Sequence, residues 1–210
     1  MVGELFSTVI VPPLTRRREK WFESIAEALR SLAEQVEEVK IENLAENEMF
    51  VTTVMQASQA ALRNHQEEKL EALRNAVLNA ALPNAPEEGL QSIYLGLVEA
   101  LSPLHLRVLK FFENPRELFP GDPAEVAEKI HRTRLGLLIY VFPDIKSSPG
   151  LDDYILKDLS VRGLIKSESL NTEMALNSLL VPYTTALGKG LLHFIASPLE
   201  SSGEEARQDA

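Results

Sequence analysis

The chain has 210 residues, enough for one large domain or two small ones with a real core. It contains no cysteine, which excludes a disulfide framework, a thiolate metal site and a cysteine nucleophile. Net charge is −10, with 9 Lys and Arg against 16 Asp and Glu in residues 1–100, and 11 of each in residues 101–198. That distribution argues against a broad electrostatic footprint for nucleic acid or an anionic membrane. No apolar run approaches the roughly 18 residues of a membrane helix, so no membrane span is expected and the location is read as cytoplasmic.

Residues 1–14 read as an extended arm, in which Pro12-Pro13 stops the apolar stretch Val9–Val11 and Thr15 caps the first helix. The arm is expected to pack on the fold, with a peripheral contact as the alternative. That first helix, Arg16–Val39, spaces Phe22, Ile25, Leu29, Leu32, Val36 and Val39 as an a/d seam. Such a seam buries against a neighbour in the same chain or against a second copy. Asn47 is placed to cap a second helix, and Asn64-His65-Gln66-Glu67 has capping-box spacing for a third that ends by Pro83. Another apolar-striped helix runs from Gly89 to Leu101, so residues 15–100 are expected to form a helical bundle.

Ser102-Pro103 and Asp122-Pro123-Ala124-Glu125 are helix starts, each a capping residue followed by a first-turn proline. The second is expected to lead a helix through Val126, Ile130, Leu137 and Leu138. A helix from Leu151 ends near Gly163 in a left-handed cap. Leu164-Ile165 and Leu179-Leu180-Val181 then read as two short strands, and a last helix through Leu187, Leu191 and Phe194 is stopped by Pro198. Residues 199–210, with one Arg and four acids, read as a disordered acidic tail.

From Leu101 to Ile195 the expected order is three helices, two strands and a helix, with Arg162-Gly163-Leu164-Ile165 before the strands and Thr185-Ala186-Leu187-Gly188 opening the closing helix. This module, taken as residues 101–198, resembles a winged-helix domain, which implies a recognition helix at Leu151–Arg162. In DNA-binding members that helix lies in the major groove with basic residues leading. Here Asp152 and Asp153 lead and only Lys157 and Arg162 are basic, which argues against nucleic acid and for protein contacts. Pro12-Pro13 and the run Glu67–Leu78 resemble bacterial proteins grouped as abortive-infection alpha, a resemblance that implies a role in phage defence.

The residues offer little chemistry. His65, His105, His131 and His193 lie far apart with no ligand spacing, and Asp144, Asp152 and Asp153 read as capping and solvated acids rather than a cation site. No nucleophile elbow or phosphate loop occurs: Gly188-Lys189-Gly190 lacks the preceding glycine. No cofactor, metal or catalytic residue is expected. The one basic cluster is Arg16, Arg17, Arg18 and Lys20 beside Trp21, the candidate interaction patch for an acidic partner or, against the overall charge, for anionic lipid. The reading is therefore a mainly α protein, a helical bundle plus a winged-helix-like module with one β-hairpin. Its expected role is a non-enzymatic interaction or scaffold protein of a bacterial cytoplasm, engaging a protein partner or self-associating through the 15–40 helix. The alternatives are a DNA-binding regulator and an accessory component of phage defence.

Overall fold

The computed structural model describes residues 9–119, 121–167 and 169–199. The chain is mainly helical and divides into two compact units, one of residues 1–100 with 194–210 and one of residues 101–193. The acidic tail from residue 200 onward and residues 1–8 of the expected arm lie outside the described residues.

The first unit contains α1 (Val11–Gln35), α2 (Ile41–Leu44), α3 (Glu48–Leu62), α4 (Glu67–Ala80) and α5 (Glu88–Ala100). Helix α1 begins four residues earlier than Thr15, and its prolines sit in the first turn rather than stopping it. A first-turn proline forgoes an N–H that has no helical partner anyway. The helix also ends at Gln35, so Val36 is its C-cap and Val39 is buried beyond it. Trp21, Ile25 and Leu32 are its buried residues, while Phe22 of the expected seam is exposed. The face turned to α3 and α4 thus keeps Ile25 and Leu32 of the a/d reading and differs at its start, where Trp21 takes the place of Phe22. Asn47 caps α3 by accepting from the Phe50 N–H at 3.1 Å. Asn64 does not cap α4: it donates back to the Ala60 carbonyl at 2.7 Å, and Gln66 takes the N-cap position without a side-chain bond.

Helix α4 is the centre of this unit. Six consecutive residues, Asn75–Ala80, are buried, so every side of the helix is covered there. A helix enclosed in this way must satisfy its own polar side chains. Asn79 donates to the carbonyls of Asn75, Phe194 and Ala196 at 3.0, 2.9 and 2.8 Å, and Asn75 donates to that of Ile195 at 3.1 Å. Lys69 is buried and donates to the Glu99 carbonyl at 2.8 Å. The Tyr94 and Phe194 rings meet at 5.4 Å.

The second unit contains α6 (Pro103–Glu113), α7 (Pro115–Leu118), α8 (Arg134–Val141), α9 (Leu151–Val161), α10 (Leu176–Leu179) and α11 (Ala186–Phe194, whose last residue groups with the first unit), with single 3₁₀ turns at Pro123–Val126 and Pro143–Lys146. The helix expected from Asp122 to Leu138 is broken. Asp122 caps only the short turn, and His131 and Arg132 then adopt φ of 48° and 49°, in the left-handed region.

Among the described residues no strand forms, so the β-hairpin is corrected to one antiparallel bridge, Ile165 with Thr184. Its flanking bonds run from Lys166 N–H to the Tyr183 carbonyl at 3.1 Å and from Thr185 N–H to the Leu164 carbonyl at 3.0 Å. Leu179, expected in the second strand, instead ends α10.

Two helix starts in this unit use one device. Thr133 and Thr185 each accept from the N–H of the glycine three residues on, Gly136 at 2.9 Å and Gly188 at 3.1 Å. Each glycine lies against a carbonyl, so that a Cβ would stand 1.9 Å from the Ile130 oxygen or 2.1 Å from the Leu164 oxygen. Each threonine N–H bonds that same oxygen at 3.0 Å. The sequence Thr-x-Leu-Gly therefore both caps the helix and lets its first turn rest on backbone.

Two substitutions check these readings by urea denaturation. Asn79→Ala removes the donor shared by three carbonyls and is expected to cost about 2 kcal/mol. Gly188→Ala forces a methyl onto the Leu164 carbonyl and is expected to cost about 2–3 kcal/mol, whereas Gly96→Ala, at a position where a Cβ meets open space, is tolerated.

Candidate functional site

In the first unit, α1 runs past the end of α3 and the start of α4 and leaves a groove of 720 Å³. One wall is the α1 face bearing Arg16, Arg17, Lys20 and Trp21, which the sequence placed together. Positions 13, 17, 20 and 24 recur at helical spacing, which is why this face rather than all of the basic cluster meets the groove. The opposite wall is the turn Asn64-His65 and the first two turns of α4, with Glu67, Glu71 and Arg74. Trp21 is held at the base, its indole N–H donating to the Ser58 hydroxyl at 2.9 Å. The Arg17 guanidinium donates to the Leu62 carbonyl at 3.2 Å, at the electronegative C-terminal end of α3.

Arg18, the remaining member of the cluster, points elsewhere. Its guanidinium lies 5.9 Å from the centre of the exposed Phe22 ring. The structure thus brings four of the five expected residues to one groove and adds Asn64, His65 and Arg74, which lie about 45 residues or more along the chain from Arg16. Among the described residues, the ion pairs involve none of the groove's four cations or its two carboxylates. The groove therefore carries four cationic side chains, with two acids on one wall, in a chain of net charge −10.

The second unit holds an arrangement of Ser, His and Asp that spacing did not reveal. The Ser102 hydroxyl is 2.7 Å from His105 Nδ1, and His105 Nε2 is 3.5 Å from an Asp158 carboxylate oxygen. The geometry is that of a capping box with histidine in place of glutamate. Ser102 Oγ accepts the His105 N–H at 3.4 Å, and His105 Nδ1 accepts the Ser102 N–H at 3.3 Å. With Nδ1 an acceptor, the neutral ring carries its proton on Nε2, facing Asp158. The ring is buried and edge-on to Tyr154 at 5.8 Å. Burial lowers the His105 pKa; Asp158 opposes that shift and Arg162 adds to it. Asp158 is itself bonded by Arg162 at 2.8 Å.

Among the described residues no group of three or more His, Asp or Glu is positioned to hold an ion. Asp152 of the acidic loop is bonded by Lys146. No family model matches the chain, and no curated protein or solved structure matches it.

The His105 environment sets a pH dependence. A folded pKa below the usual value near 6.5 means that the unfolded chain binds the proton more readily. Stability is complete above that usual value and falls as pH drops through it. His105→Gln, which keeps an acceptor for the Ser102 N–H and cannot titrate, is expected to flatten this dependence in thermal melts taken from neutral to mildly acidic pH.

Proposed function

We propose that the protein is a non-enzymatic interaction or scaffold protein whose first unit holds an acidic segment of a protein partner in the α1–α4 groove. The observation that carries this reading is the convergence of Arg16, Arg17, Lys20 and Arg74 on one groove, without carboxylate partners among the described residues. An extended acidic segment satisfies those cations, and Asn64 and His65 supply hydrogen-bonding groups along its path. The ring of Trp21 gives the groove an apolar base. The second unit serves in this reading as a further protein-contact surface, as its winged-helix-like sequence implies.

A role as a DNA-binding regulator is less well supported. In α9, the helix to which the winged-helix resemblance assigns recognition, Asp152 and Asp153 lie in the first turn and Arg162 is paired with Asp158. Lys157 alone remains exposed and without an acid, too little for useful counterion release.

Trp21 is the chain's single tryptophan and sits in the groove, so its emission reports occupancy directly. An oligoglutamate peptide is expected to shift that emission and to bind more weakly as salt rises. The double variant Arg16→Glu, Arg74→Glu is expected to lose about tenfold or more in affinity, since several exposed charge pairs of modest strength are reversed. An unchanged affinity in the variant, or no emission change in the wild type, overturns the reading. Tighter binding of a random DNA duplex than of the peptide would return the regulator to first place.

A further inference from the structure

The start of α1 has a second feature, which shares Arg16, Arg17 and Lys20 with the groove but adds residues outside it. No described residue from Val9 to Lys20 is buried, although this stretch carries four large aliphatic side chains. Val9, Ile10, Val11 and Leu14 are 54%, 42%, 43% and 47% exposed. Successive helical residues turn by about 100°, so these four spread over about 200° of the axis, wider than one packing stripe. The next turn and a half carries Arg16, Arg17, Arg18 and Lys20, which also spread around the axis, with Glu19 as the one acid. Polarity is thus divided along the helix, an apolar tip followed by a cationic collar, rather than across it as in a helix that packs on a core.

We propose that this tip docks on an anionic lipid surface, with Val9–Leu14 entering the headgroup boundary and the collar meeting the phosphates. Six residues at the helical rise span about 9 Å, which matches the roughly 5–10 Å to which interfacial helices bury their apolar residues. Charge decides among occupants. Residues 9–18 hold three arginines and no acid, so a second copy of the same tip would meet like charge, whereas anionic headgroups are complementary. The overall charge of −10 does not oppose this contact at close range, because salt screens charges beyond about 8–10 Å. Arg18 belongs to the collar but not to the groove, and its guanidinium lies over the exposed Phe22 ring, which extends the interfacial surface by one turn. The helices of the described chain are not long and apolar enough to cross a membrane, so the contact is peripheral.

The test is co-sedimentation of the full chain with vesicles of phosphatidylcholine alone and of an equal mixture of phosphatidylcholine and phosphatidylglycerol. Binding is expected only to the mixed vesicles and to weaken with salt. The double variant Val11→Ser, Leu14→Ser is expected to lose at least about tenfold in partitioning while keeping its circular dichroism and its emission response to oligoglutamate. Arg18→Gln is expected to weaken vesicle binding without touching the groove. Failure of the wild type to bind mixed vesicles, or full binding by the double variant, overturns the proposal. So does a dimer in sedimentation velocity that the same double variant disperses, since the tip would then be covered by a second copy. The oligoglutamate measurement is read separately: Arg16, Arg17 and Lys20 serve both surfaces, but Val11, Leu14 and Arg18 lie outside the groove and Arg74 outside the collar.

Discussion

The first unit depends on enclosing a helix that carries amide and amine side chains. Burying an unsatisfied polar group costs more than most single contacts return, so Lys69, Asn75 and Asn79 can sit on α4 only where acceptors stand ready. Each finds a backbone carbonyl at or beyond the end of another helix: Glu99 near the end of α5, and Phe194, Ile195 and Ala196 at and after the end of α11. Those carbonyls lack intrahelical partners for the complementary reason, that the last turn of a helix has no N–H beyond it. The Lys69 pKa is lowered chiefly by burial, with the Glu99 carboxylate acting in the opposite sense. Two deficits therefore cancel, and the register of α4 is set by its polar residues as much as by Leu73 and Val77. The groove inherits this precision, because Glu71 and Arg74 lie one helical turn from the buried Asn75 and Leu78.

The second unit is organised by close backbone approach. Thr133–Gly136 and Thr185–Gly188 bring two helix starts onto the carbonyls of Ile130 and Leu164, and each approach requires that the glycine have no side chain. Aromatic packing completes the arrangement: Phe112 meets Tyr183 at 5.6 Å, and the Arg134 guanidinium lies over the same tyrosine at 4.6 Å. The Tyr183 N–H donates to the Phe112 carbonyl at 2.7 Å, so the segment before α11 is tied to the end of α6 without a strand. A texture that reads as the exit from a wing is here a short bridge followed by a capped helix. The Thr-x-x-Gly pattern carries that local geometry whether or not a hairpin precedes it.

Several features encoded within four residues were legible in the sequence, though the caps expected at Thr15 and Asn64 do not form. Asn47, Ser102 and Asp122 cap where their spacing implies, and Gly163 takes the left-handed conformation with φ of 71°. The longer-range failures needed information from elsewhere in the fold. The break at His131 and Arg132 has no glycine to announce it; it is sustained by bonds to residues such as Met174, whose N–H reaches the Arg132 carbonyl at 3.1 Å. The a/d seam of α1 held at Ile25 and Leu32 but not at its start, where Trp21, with a hydroxyl partner in α3 for its N–H, is buried instead of Phe22. The cationic cluster was visible, but its division was not: Arg17 and Lys20 share a face with Pro13, while Arg18 follows Phe22. The opposing wall of the groove, from His65 to Arg74, lay beyond any local pattern.

An acidic chain that retains a tight cationic cluster differs from one that is basic throughout. Over distances longer than the screening length the net charge of −10 disfavours polyanions, nucleic acid included, and slows indiscriminate encounters. Within that length only local charge counts, and around the start of α1 it is positive. Such a surface is selective for anions that can come close, either a narrow acidic segment entering the groove or headgroups reached by an apolar tip that holds the collar against them. The exposed aliphatics and the arginines then act together: burial of the tip supplies the proximity at which the cations are effective, and the cations select the surface on which the tip is buried. Neither element alone would bind strongly, which is the expected behaviour of a reversible contact rather than of a permanent anchor.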